Sequence, residues 1–510
     1  MTPTWDVLVI GAGVIGCSVA RELSRYSLKV AVLEKGPDVC METSSRNSGV
    51  LHAGYNNKPG SLMAKFCVEG NQGFDKIAEE LDIPYKRTGK LIVGFTDDDR
   101  VRLEGLKAQG EANCILGMEI VDRAFIDEKA PEVQGNFALW SPTTAIISPF
   151  QVTFGMAENA AANGVEFFFD SEVTGIERDA NAGSQDAGAY GVQGDSYEYT
   201  VHTASANVAV HKTRWVINCA GLGSDKISKM LGIDDYTIYP CRGEYYILDK
   251  QLSDLLPLPA YPVPNIKTGG LGIHLTPSID GNILIGPSTE YIDERDNYAA
   301  TRPIMDMLLR EGAVIFPQLK QEHFIRNFAG TRPKLVPKNV GGYHDFVIER
   351  REDVAPHAVN LVGIESPGLT SSVPISREVV RKIEEVEKLT LKDDFNPIRR
   401  RIVTFRDKTP EQQAQLIKEN PDYGEIFCRC ETITKAEVLA AVRAVPGAQT
   451  MTGVKYRCRA MMGRCQGGYC QTRISELLMQ EKNIPANELT YERRGSYIFT
   501  QEVRSHDNEA

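Results

Sequence analysis

Asp6–Glu34 reads DVLVIGAGVIGCSVARELSRYSLKVAVLE, and this stretch decides the fold. Its first five residues are a short apolar run stopped by glycine, the pattern of a strand buried on both faces. Val14–Ser24 carries helix formers with apolar positions at helical spacing, and Lys29–Leu33 (KVAVL) is a second apolar strand. The opening is therefore a β-α-β unit. Between strand and helix lie Gly11, Gly13, Val14, Ile15 and Gly16, in the order GAGVIG. Gly11 permits a tight turn, Gly13 lets a pyrophosphate approach the backbone, and Gly16 lets helix and strand pack closely. The helix start turns free N–H groups and its positive dipole end towards phosphates. Glu34, with Lys35 behind it, ends the second strand eighteen residues after Gly16, where a carboxylate can accept hydrogen bonds from ribose hydroxyls. A glycine turn alone would not require that acid. The combination predicts a dinucleotide site.

Outward from this unit, 510 residues are too many for one ordinary domain. No run approaches the ~18 apolar residues of a membrane span. The N-terminus enters a strand with no basic region or cleavable apolar segment, which argues against secretion and predicts a cytoplasmic protein. A net charge of −11 argues against non-specific nucleic-acid binding. Further strands are expected at Leu91–Phe95, Val165–Phe169, Trp215–Asn218, Tyr245–Leu248, Asn282–Ile285, Phe346–Ile348 and Val359–Val362. Helices are expected at about 60–81, 99–112, 151–163, 302–311 and 373–388. Residues 180–212, poor in large apolar side chains, read as a hairpin insertion with a mobile tip. Residues 391–423 lack an apolar face and read as a linker over a surface.

Beyond that linker the cysteines crowd. Six of the eleven are scattered up to Cys241, none falls between 242 and 427, and five lie in 428–470. Cys428-Arg-Cys430, 34 intervening residues and Cys465-Gln-Gly-Gly-Tyr-Cys470 form a four-thiolate constellation. Such a set suits zinc or an iron–sulfur cluster, with unused thiols as the bland alternative. Zinc favours C-x₂₋₄-C pairs, so the C-x-C pair tilts the reading towards iron–sulfur. Cys458 stands outside the pattern as a bystander.

Several separated motifs add a resemblance. The glycine unit with Glu34, Ser44–Tyr55 (SSRNSGVLHAGY), Arg242–Tyr246 (RGEYY), Gly272–Pro287 (GIHLTPSIDGNILIGP) and Gly363–Thr370 (GIESPGLT) resemble the D-amino-acid-oxidase-like FAD superfamily. Within it they are similar to the branch of L-2-hydroxyglutarate and glycerol-3-phosphate dehydrogenases. CRCETIT and MGRCQGGYC resemble the bacterioferritin-associated-ferredoxin-like [2Fe–2S] domain. The implied fold class is α/β (α+β): a Rossmann-like FAD-binding domain, an inserted mixed-sheet substrate domain and a small C-terminal helical [2Fe–2S] domain. FAD-binding parts fall at about 1–85, 145–235 and 330–390, and substrate-binding parts at about 86–144 and 236–329. The cluster domain takes 424–485, with a tail over 486–510.

The resemblance also implies roles. Ser45, Arg46, Asn47, Ser48 and Gly49 would contact FAD, with Lys35, Val173, Ala220 and Gly221 towards the adenosine half. Gly368, Leu369 and Thr370 would lie at the flavin ring, where backbone N–H groups stabilise its reduced anionic form. His52 would stand beside flavin and substrate as the base that takes a hydroxyl proton. Its alternatives are packing against the flavin or tethering it covalently. Arg332 would grip an anionic substrate in a bidentate fork, or else pair with a protein carboxylate. Lys334 would add a point charge, or else sit on the surface. Tyr245 and His274 are second candidates, equally readable as packed strand residues. Cys428, Cys430, Cys465 and Cys470 would hold the cluster.

Flavin and cluster together imply a dehydrogenase whose electrons leave singly to a protein, a subunit or a quinone reached through partners at the inner membrane. Homo- or hetero-oligomerisation stays open. The leading substrate is sn-glycerol 3-phosphate, oxidised to dihydroxyacetone phosphate. L-2-hydroxyglutarate, an amino or imino acid, and a non-catalytic electron-transfer subunit are the alternatives.

Overall fold

The computed structural model describes residues 2–179, 198–264 and 272–500. The opening strand Thr4–Ile10 lies between Val30–Leu33 and Val210–Asn218, parallel to both. Glu166–Phe168 continues the parallel run on one side and Ala355–Val362 on the other. The alternation of the opening strand explains its unbroken apolar reading. Val7 and Val9 enter the core beneath the helices Val14–Leu23, Pro149–Ala162 and Gly368–Glu384, whereas Leu8 and Ile10 enter a second core with Ile227 and Leu231. A strand covered on both faces has no polar side to show.

Val210–Asn218 is long enough to serve two neighbours. Its first half pairs antiparallel with Tyr199–Thr203, and its last three residues pair parallel with Ala355–Val362. Tyr199–Thr203 in turn pairs with Val173–Arg178. The hairpin expected over 180–212 begins earlier, with its first strand before residue 180, and the expected tip within 180–197 lies outside the described residues.

Among the described residues the second sheet has nine strands. Its spine is the antiparallel pair of Tyr239–Leu248 with Phe324–Lys334, which sets Tyr245 opposite Phe328 and Cys241 opposite Arg332. Lys90–Gly94 joins it through a parallel pairing with Ala260–Pro262. His274–Pro277 and Ile283–Gly286 form a hairpin within it.

The expected linker is more ordered than its composition suggests. It contains a helix, Pro410–Glu419, with a capping box between Thr409 and Gln412 and no buried residue. Local capping makes this helix, so no apolar stripe betrayed it. Arg399 fastens the segment to Glu158 at 2.6 Å.

The cysteine module builds its own core from Val438, Met451, Val454, Ile474 and Leu478, around the helices Lys435–Arg443, Met451–Cys458 and Gln471–Lys482. Residues 486–500, expected as tail, pack back on it: Leu489 is fully buried, and Tyr491 accepts a backbone bond from Thr452. The module is docked, not merely tethered. Arg457 and Asp38, at 1% and 0% side-chain exposure, form a bidentate pair across the junction. Phe150 of the body stacks on Tyr456 of the module, centroids 4.3 Å apart. Among the described residues no helix is long and apolar enough to cross a membrane.

Candidate active site

A cleft of about 980 Å³ runs from the end of the opening strand to the face of the second sheet. At its first end the glycines act as the sequence requires. Gly11 has φ +106°, and a Cβ there would stand 2.6 Å from the Cys219 carbonyl. A Cβ on Gly16 would stand 1.8 Å from the Gly11 carbonyl, so any side chain would force helix and strand apart. Gly13, Val14 and Ile15 line the opening, and the Val14 amide donates to Ser44 Oγ at 2.9 Å. This is a cradle that a pyrophosphate fits and a side chain would fill.

Glu34 lines the same end. Its carboxylate accepts from the Ala12 amide at 2.7 Å and the Gly36 amide at 2.8 Å. Burial raises its pKa, and those two bonds oppose the rise. Lys35, Val173, Ala220 and Gly221 line the cleft nearby, with Lys35 paired to Glu42 at 3.2 Å.

The Ser45–Gly49 loop divides its residues. Arg46, Asn47 and Ser48 line the cleft, whereas Ser45 and Gly49 face a second, smaller cavity. Asn47 pins the loop by accepting from the Gly49 amide and donating to the Ser44 carbonyl. At the far end Gly368 and Leu369 begin the helix Gly368–Glu384, whose N-terminus meets the cleft. Thr370 works from behind: its Oγ1 accepts from the His52 amide at 3.0 Å.

Around this end gather His52, His274, Tyr245 and Arg332. Burial, Lys90 and His274 together hold the His52 imidazole well below its ordinary pKa, so it rests neutral. His274 stacks on Tyr261 with centroids 3.7 Å apart, and its Nδ1 lies 3.0 Å from the Gly272 carbonyl. That contact assigns the proton to Nδ1 and leaves Nε2 as an acceptor. Burial lowers the His274 pKa to about 3. Tyr245 stacks on Phe328 at 4.6 Å and lies 3.5 Å from Ser48 Oγ.

Among the described residues Arg332 is bonded to no carboxylate. Its Nη2 donates to the Ser288 carbonyl at 2.8 Å and to Thr289 Oγ1 at 3.3 Å. Lys334 corrects the expectation of a surface lysine. It is 2% exposed, does not line the cleft, and bonds Glu365 at 3.0 Å. Alternation alone would set Lys334 on the same face as Arg332. What buries it is the loop carrying Glu365, whose carboxylate takes the ammonium, together with the Tyr343 ring 4.3 Å away.

One charged residue escaped the sequence reading. Lys90 is 1% exposed, with its ammonium 4.3 Å from the Tyr261 ring and 4.7 Å from the Tyr55 ring. Burial pushes its pKa down to about 7. The available signal was a lysine opening the otherwise apolar run KLIVG.

In the module the four thiols stand as two neighbouring pairs, Cys428 with Cys470 and Cys430 with Cys465. Cys428 also interacts electrostatically with Cys430, Cys465 and Cys470, so the pairs adjoin. The bond from Cys470 lowers the Cys428 pKa to about 6. Cys430 and Cys465 are exposed, the other two buried. Among the described residues no three His, Cys, Asp or Glu side chains converge on one ion position. Two adjoining thiol pairs are the donor set of a two-iron cluster, two thiolates to each iron. Cys458 lies within electrostatic reach of Cys428 but belongs to neither thiol pair, donating instead to the Val454 carbonyl.

Comparison with known proteins agrees with both halves. The family profile DAO, described as FAD dependent oxidoreductase, matches residues 6–382, and that of the BFD-like [2Fe-2S] binding domain matches 426–480. A glycerol 3-phosphate dehydrogenase of Caloramator mitchellensis is 38% identical over 98% of this chain and 99% of its own length. The mitochondrial L-2-hydroxyglutarate dehydrogenase of Homo sapiens is 28% identical over 75% of this chain and 89% of its own. Among solved structures, an FAD-bound L-alpha-glycerophosphate oxidase of Mycoplasma pneumoniae is 30% identical, with TM-score 0.69 over 78% of this chain and 98% of that one.

Proposed function

Because the chain belongs to the FAD-dependent oxidoreductase (DAO) family and carries a BFD-like [2Fe–2S] domain, we propose that it is a dehydrogenase oxidising sn-glycerol 3-phosphate to dihydroxyacetone phosphate. The observation that carries this is the end-to-end match to a glycerol 3-phosphate dehydrogenase, which spans both flavin half and cysteine module. FAD and a [2Fe–2S] cluster are its cofactors. Bound FAD supplies the hydride acceptor, and the cluster supplies a one-electron outlet.

The chain's own residues do the rest. His52, neutral and without a hydrogen bond to its ring among the described residues, accepts the hydroxyl proton as the C–H hydride departs. Arg332 keeps one nitrogen on the Ser288 carbonyl, which fixes the guanidinium plane and leaves its other N–H groups for the substrate phosphate. His274 offers Nε2 as a second acceptor for a substrate hydroxyl. The stacked Tyr245 and Phe328 wall the site against water. Lys334 acts at one remove, holding Glu365 in the loop before Gly368. Cys428, Cys430, Cys465 and Cys470 hold the cluster.

The electron acceptor is a partner protein or a quinone, reached from the cytoplasm at the membrane surface. L-2-hydroxyglutarate is the second reading, favoured by the human relative. Anaerobically prepared protein assayed with a dye acceptor separates the two. Turnover should be greatest with sn-glycerol 3-phosphate. Turnover with L-2-hydroxyglutarate and none with the phosphate would reverse the order.

A further inference from the structure

The junction between cysteine module and body encloses the second cavity, of about 140 Å³. Arg46, Asn47 and Ser48 contribute to its walls as well as to the main cleft, so it adjoins the flavin site without belonging to it. Four cations line it, Arg46, Arg326, Lys455 and Arg459, against two carboxylates, Asp280 and Glu492. Both carboxylates are already committed. Glu492 pairs with Arg46, and Asp280 pairs with Arg459 at 2.7 Å.

Among the described residues neither Arg326 nor Lys455 has an ion-pair partner. Arg326 has the amide oxygen of Gln466 at 3.1 Å. Lys455 is 4% exposed, and its ammonium makes no hydrogen bond or ion pair among the described residues. The buried Nε of Arg46 also lacks a partner. A buried ammonium whose one nearby carboxylate, Glu492, is already paired with Arg46 is unfavourable, and here it also faces three guanidinium groups. Burial first, then Arg326, Arg46 and Arg459, hold the Lys455 ammonium well below its ordinary range, with Glu492 pulling the other way. The remaining wall is mixed: Phe150, stacked on Tyr456, is joined by Leu284 and Phe328, and Ser148, Asn282 and Thr452 add polar groups. A cavity of about this volume holds a body the size of benzene, hence a small oxyanion with its carbon skeleton.

We propose that this junction is an oxyanion site, taking a small dianion of the phosphate or dicarboxylate class among Lys455, Arg326 and Arg46. Such a ligand restores charge balance and joins three parts of the molecule: Lys455 on a module helix, Arg326 on the second sheet, and Arg46 on the loop beneath the main cleft. Its occupancy therefore tightens the module against the flavin half. The site stands whether or not the substrate reading above is right.

The test is isothermal titration of the full-length holoenzyme with inorganic phosphate, at ionic strength held constant with chloride. Succinate as a second titrant distinguishes a phosphate from a dicarboxylate source. Wild type should show a saturable site that survives Arg332→Gln and weakens about tenfold or more with Lys455→Met and with Arg326→Gln, as loss of a charge-assisted contact demands. Arg326 lies on a sheet strand outside the module, so its variant decides the matter should Lys455→Met fail to fold. Binding of neither anion overturns the proposal. So does anion binding that disappears with Arg332→Gln and ignores Lys455 and Arg326, which would assign it to the main cleft alone.

Discussion

In the proposed reaction His52 is the base, and its environment makes that role testable. Replacing it with Asn should leave FAD bound but slow flavin reduction by about 10²–10⁴-fold, the usual worth of a general base. Rapid mixing with substrate under anaerobic conditions measures this; an unchanged rate would remove His52 from the base role. Lys90 gives a second prediction. Its positive charge disfavours imidazolium at His52 and helps hold that pKa down. In Lys90→Met the His52 pKa should rise, so the base is protonated at a higher pH and the acid limb of the reduction rate moves upward. A profile that does not move would reduce Lys90 to a packing residue. Residues of this kind were unevenly legible. Gly11 and Glu34 stand in a motif whose spacing has one geometric use, whereas His52 is singled out only by the family resemblance of its segment. Lys90 and Lys334 look like any surface lysine, the default for that residue, because nothing local in sequence announces the Tyr261 ring or Glu365 that buries them.

At the scale of elements, the opening β-α-β unit was readable because each strand carries its own pattern and its own glycine stop. The nine-stranded sheet was not, since its spine pairs Tyr239–Leu248 with a strand about eighty residues later, Phe324–Lys334. Strand existence is local information and strand partnership is not. The helix Pro410–Glu419 escaped for the opposite reason, having caps but no buried face. Docking of the module was equally hidden, for it turns on Arg457 and Asp38, more than four hundred residues apart. Because both are buried, Arg457→Met should leave Asp38 uncompensated and cost about 3–5 kcal/mol in denaturant unfolding. Adding Asp38→Leu should recover much of that loss. Substrate reduction of the flavin should survive in the single variant, while turnover with an acceptor fed through the cluster falls. Equal stability of single variant and wild type would mean the pair does not hold the module.

The whole molecule is a two-electron site joined to a one-electron outlet. The cleft determines which bond is oxidised, and the docked module lies against the loop of that cleft through Arg46 and Glu492. Two of the four thiols are buried and two exposed, so this outlet opens towards solvent. Cys428→Ser should therefore abolish acceptor turnover yet spare flavin bleaching by substrate. The most direct measurement is anaerobic addition of sn-glycerol 3-phosphate to cluster-loaded protein, with flavin absorbance and EPR followed in one sample. The flavin band should bleach and a reduced [2Fe–2S] signal should grow with it, the signal alone being lost in Cys428→Ser. Bleaching with no cluster signal in the wild type, or zinc found in place of iron, would contradict this.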